Sequence, residues 1–174
     1  PDDVYEEAYL DEEGGEHSAW VIRFTENEKR GQKVKTEGSE RRIPIHPYLI
    51  GLGFLKVAAA AKAERRERIF HKINPTAEGE LMGNWSKWFG RYLRKVCGVS
   101  DERVVFHSFR HSFKHYARNC RLDKEVHAEI TGHESGDTGD DYGGLAYPLH
   151  PLVEGIARYR VPGFTLPPPP ASLR

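Results

Sequence analysis

His107 and Arg110 stand three residues apart, a spacing that puts two side chains on one face of a helix. From one face an imidazole and a planar cationic fork can address the same atom. His133 follows Gly132 at the end of a short apolar-periodic run, and Tyr142 closes the Gly/Asp-rich segment beyond it. Imidazoles and a guanidinium to hold an oxyanion, with a phenol to attack, form an inventory for phosphate chemistry without a metal.

Those groups need a scaffold, and composition bounds it. The chain has 174 residues, 38% hydrophobic and 30% charged, which suits one globular domain or most of one. No run approaches the roughly 18 apolar residues of a membrane span, and residues 1–17 lack a signal-peptide pattern. The formal net charge is zero, but it is unevenly spread. Eight acids and no Lys or Arg lie in residues 1–20, so all 26 basic residues face 18 acids in the remainder. A basic body behind an acidic leader can hold a polyanion on one face. Cys97 and Cys120 form no metal-binding spacing and read as reduced thiols.

The pattern predicts an α+β, mainly α chain. Residues 1–18 read as an exposed acidic entry segment, 19–46 as a β region, 47–160 as a helical core and 161–174 as an extended or disordered Pro-rich tail. Alternation over Ala19–Thr25 predicts a strand. Residues 32–45 predict a hairpin turning at Glu37, Gly38 and Ser39, with Pro44 at a strand end. Pro47 opens an Ala-rich helix running to residue 68, whose basic end suits either a phosphate or the helix C-terminus. Ile69, Phe70 and Ile73 read as a short buried strand or link. Asn84 is placed as the cap of a helix whose stripe Trp85, Trp88, Phe89, Tyr92 and Val96 reads as core, with Lys87, Arg91, Arg94 and Lys95 to the other side. A central helix from Ser108 to about Cys120, a helix from Asp123 stopped by Gly132, and a last helix over 148–159 complete the chain.

The motifs HSFRH, TGH and DDYGG, in that order, resemble the catalytic signature of the tyrosine recombinases, or phage-type integrases. The hairpin is also similar to a stretch of the form KTxxSxRxIPI that carries a catalytic Lys in that family. The resemblance implies a mainly α catalytic core with a small antiparallel sheet, acting in the bacterial cytoplasm on DNA of a phage or mobile element. It implies Tyr142 as nucleophile, forming a 3′-phosphotyrosine and freeing a 5′-OH. Arg110 and His133 would hold the scissile phosphate, His107 would assist proton transfer or bond the same phosphate, and Lys35 would protonate the leaving oxygen. Lys33 shares a strand face with Lys35, so spacing alone does not separate them. Lys33, Arg41, Arg42, Lys87, Arg91 and Arg94 are candidate DNA contacts. Duplex DNA and a tetramer exchanging C-terminal segments are the implied partners, with no cofactor, metal or membrane. The family's first catalytic Arg precedes the hairpin, whereas residues 1–22 contain no Arg. The chain alone is therefore expected to be inactive or nearly so.

Three other readings compete. His107, His111 and His115 form a row that suggests zinc, although three in a line rarely converge. A type IB topoisomerase would use the same phosphotyrosine chemistry. A non-catalytic DNA-binding relative would have no need of all five catalytic side chains.

Overall fold

In the computed structural model, which describes residues 1–27, 40–132 and 146–173, an antiparallel sheet of three strands in the order β1-β2-β3 carries helices on both faces. Strand β1 (Val4–Leu10) pairs with β2 (Glu16–Phe24) over the register Val4↔Ile22 to Leu10↔Glu16. The turn between them is held by Asp11, whose Oδ1 accepts from Glu13 N at 2.9 Å and Gly15 N at 2.7 Å. This is an Asx-type turn, which Asp forms readily. Strand β3 (Arg41–Pro44) pairs with the other edge of β2, and Pro44 ends it. The first arm of the expected hairpin lies outside the described residues.

Strand β1 corrects the expectation of an exposed entry segment. Its acids obscure a period-two pattern in which Tyr5, Glu7 and Tyr9 are half-buried, while Glu6, Ala8 and Leu10 are exposed. Glu7 is tolerated because Arg42 Nε lies 2.7 Å from its Oε1. Tyr5, Tyr9 and Val21 pack beneath Val126, Ile130, Leu149, Leu152 and Ile156 of two helices. On the opposite face Val4, Trp20 and Ile22 meet Ile45, Ala58 and Ile69.

The expected helix over 47–68 is broken in two, α1 (Pro47–Gly51) and α2 (Phe54–Ala63). Gly53 sits between them at φ +89°, a conformation glycine adopts without a Cβ penalty. Residues 69–73 form turns rather than a strand, and Phe70 is 60% exposed. Helix α3 (Leu81–Lys95) starts before Asn84, which instead donates from Nδ2 to the carbonyls of Asn74 and Pro75. No residue of α3 is buried, so its aromatic stripe is not core in the ordinary sense. The stripe packs on itself and on Phe106 and Phe109 through ring pairs 4.8–6.5 Å apart.

Helix α4 (Ser108–Asn119) is followed by helix α5 (Lys124–Thr131), which packs against it. Leu122 N donates to Ala117 O, Arg121 takes φ +55°, and Asp123 caps α5 by accepting from Glu125 N at 2.8 Å. Gly132, at φ +60° and ψ +44°, ends α5 as expected. Helix α6 (Leu149–Arg158) buries Leu149, Leu152, Gly155 and Ile156.

Among its described residues the tail over 161–173 is irregular and mostly exposed, with a short turn at Ala171–Leu173 that is tied to α2. A Pro-rich backbone offers few N–H donors, yet its carbonyls still accept. Lys56 Nζ donates to Leu173 O at 2.9 Å, and the Arg160 guanidinium lies 4.7 Å from the Tyr48 ring centroid.

Candidate functional site

His107 immediately precedes α4, where its carbonyl accepts from Arg110 N at 3.0 Å. Its imidazole is exposed and meets His111 edge-on at 5.4 Å between ring centroids. Arg110, in the first turn, is half-buried. The pair therefore occupies the start of one helix, with the guanidinium deeper than the imidazole.

That start is placed by a residue expected to touch DNA. Arg94, at the end of α3, is half-buried and donates from Nη1 to Val99 O at 3.2 Å and from Nη2 to Val104 O at 2.9 Å. It ties α3 to the loop that delivers His107. Ser108 Oγ adds a bond by accepting from Val105 N at 3.0 Å. Arg42 is likewise engaged within the fold, between Glu7 and the Tyr147 carbonyl at 3.0 Å. Lys87 and Arg91 are exposed on α3.

Arg41 reaches the place where the motifs approach one another. Its guanidinium stacks over the Phe24 ring at 4.7 Å. It also lies against Gly132, where an added Cβ would stand 2.7 Å from Nη1. Burial lowers the Arg41 pKa, and the positive charge of Arg110 lowers it further, while Glu129 acts in the opposite direction. The C-terminus of α5, the N-terminal turn of α4 and the first residue of β3 thus share one neighbourhood. Sequence spacing gives no hint of this, since Arg41 and Gly132 are far apart in the chain. The one signal was the hairpin motif, in which Arg41 occupies the arginine position.

Lys33, Lys35, His133 and Tyr142 lie outside the described residues. Gly132 is the last described residue before His133. Among the described tyrosines, Tyr147 and Tyr159 are half-buried. Burial raises both phenols above their usual pKa, and for Tyr147 the carboxylates of Glu125, Asp123 and Glu129 add to the effect. Among the described residues, no group of three His, Cys, Asp or Glu side chains converges as a metal site, the histidine row included. No helix among them is long and apolar enough to cross a membrane. No protein-family model, curated protein or solved structure matches the chain.

Proposed function

We propose that the chain is the later part of a tyrosine recombinase catalytic domain, which cleaves and rejoins duplex DNA at specific sites in the bacterial cytoplasm. The observation that carries this reading is the meeting of the hairpin motif's arginine with the glycine of a second motif. Gly132 of TGH lies against the guanidinium of Arg41, the arginine of the hairpin motif. An accidental motif match gives no reason for residues of two motifs, distant in sequence, to meet.

In this mechanism the Tyr142 phenol attacks the scissile phosphorus. A P–O bond to tyrosine forms as the bond to the 5′ oxygen breaks, and Lys35 supplies that oxygen with its proton. Arg110, His107 and His133 donate to the non-bridging oxygens and offset charge in the pentavalent transition state. A 5′-hydroxyl from the partner strand then attacks the phosphotyrosine, restoring the phosphodiester and the phenol. The ester keeps the bond energy, so no nucleotide cofactor is consumed.

The test is covalent capture of DNA. The chain, and a longer form carrying the missing arginine, are incubated with a pool of randomised duplexes and resolved under denaturing conditions. Capture by the longer form, its loss in Tyr142→Phe and retained DNA binding by that variant are the expected results. Capture that survives Tyr142→Phe, or a longer form that binds no DNA, overturns the reading.

A further inference from the structure

We propose that the open edge of β1 is a docking site for an extended basic peptide, which joins the sheet as a further strand. The inference stands apart from the recombinase reading and concerns a different surface.

The backbone supplies the first observation. Strand β1 lies at the end of the sheet order, with β2 on one side only. Arg23 N donates to Asp3 O at 2.8 Å, and Asp11 N donates to Gly15 O at 3.0 Å. Hydrogen-bonded pairs alternate along an antiparallel ladder, so in β1 they fall on the odd-numbered residues. Glu6, Ala8 and Leu10 therefore turn their backbone N–H and C=O groups outward, where no backbone partner meets them among the described residues. Such a row is a template for another strand.

Charge selects the strand. Residues 1–20 carry eight acids and no Lys or Arg. Glu6 and Glu16 are exposed on the face that Ala8 and Leu10 share. A second copy of β1 would set acids beside acids along this edge, which is destabilising. The tail of another copy is no better, because residues 167–170 are all proline and have no N–H to give to a ladder. A partner with Lys or Arg at alternate positions instead places its cations beside Glu6 and Glu16.

The other face of the strand supplies the third observation. There the Tyr9 ring lies 5.6 Å from that of His17 and 6.0 Å from that of His150, between centroids. These rings line a hollow of about 480 Å³, together with Val153 and Ala157 of α6 and the ion pair of Glu154 with Arg158. Side chains of a docked strand alternate between faces, so the residues between its cations point toward this hollow. Its aromatic and aliphatic walls suit Leu, Val or Phe. The ligand class is thus an extended peptide in which Lys or Arg alternates with apolar residues.

The probe is a fluorescein-labelled Lys-Leu-Lys-Val-Lys-Leu peptide, and its anisotropy is followed as the 1–174 chain is added at physiological salt. Saturable binding is expected, at least tenfold weaker for the peptide with Glu in place of Lys and for the Glu6→Lys chain. Two further peptides, methylated on one or the other set of alternate amides, separate strand pairing from charge attraction. One set faces β1 and its methylation should weaken binding at least tenfold, while the other set should change it less than threefold. Ala8→Pro removes a donor from the open side alone, and proline is tolerated on edge strands, so this variant should also bind at least tenfold more weakly. Should Ala8→Pro fail to fold, the methylated peptides and Glu6→Lys decide the matter. A native chain that does not bind the probe overturns the inference. So do two methylated peptides that bind as tightly as the parent, which would leave charge attraction only. Sedimentation showing self-association that Glu6→Lys alters would mean that a second copy covers the edge, and overturns it as well. Failure of covalent DNA capture bears on the recombinase reading alone.

Discussion

Gly132 carries two burdens at one position. Its φ of +60° costs a residue with a Cβ about 1–2 kcal/mol, and the space that a Cβ would take is filled by the Arg41 guanidinium. Gly132→Ala should therefore destabilise the chain by about 2 kcal/mol, read as a lower urea midpoint at unchanged slope. A neutral substitution would mean that the Arg41 side chain rests elsewhere. Gly132 was legible in the sequence as a helix stop, since a glycine after an apolar-periodic run is a strong signal. Its second burden was not, because contact with Arg41 depends on how the sheet and the helix pair meet.

At the scale of elements, local chemistry was readable and coverage was not. Asp123 and Gly132 bound α5, and Leu152 and Ile156 are buried in α6, because caps and apolar spacing act within a few residues. Strand β1 was hidden by its charge. Its acids are held by partners distant in sequence, Glu7 by Arg42 and Glu6 by the Ser18 hydroxyl. Helix α3 failed in the opposite direction. Its stripe has helical periodicity, but periodicity says nothing about what covers a face, and Trp88 remains 46% exposed.

The β1–β2 turn yields a pH prediction at the same scale. The Asp11 pKa is lowered, first by the bond to His17 at 2.8 Å and then by the Gly15 N–H. A carboxyl with a depressed folded pKa contributes stability above its unfolded pKa of about 4. That contribution is lost as pH falls through the folded value. Asp11→Asn should lower the unfolding temperature at pH 6 and flatten its decline below pH 4. A native-like acid slope in the variant would show that Asp11 does not couple the turn to protonation.

Across the whole molecule the fold is α+β and mainly helical, as the alternation of patterns implied, with the sheet between two groups of helices. What the patterns left open was the tail. Its composition reads as unstructured and its described residues are mostly exposed, but the residue that leads into it is docked on α1 and on the end of α4. Arg160 is the centre of that contact. It lies over Tyr48, and its backbone N–H donates to Cys120 Sγ at 3.2 Å while its carbonyl accepts from the thiol at 3.3 Å.

That last contact turns the two cysteines into an internal gauge. Cys97 is exposed, whereas Cys120 is half-buried with its sulfur engaged by the backbone of Arg160, where the tail leaves the body. Under a maleimide in modest excess, Cys97 should label at the rate of a free thiol and Cys120 at least tenfold more slowly. The ratio of the two rates then reports tail docking without any added probe. Should the tail leave its own body for a neighbour on assembly, as the resemblance implies, Cys120 would speed up transiently while Cys97 keeps time. Equal rates in the isolated chain would show that the tail is already undocked.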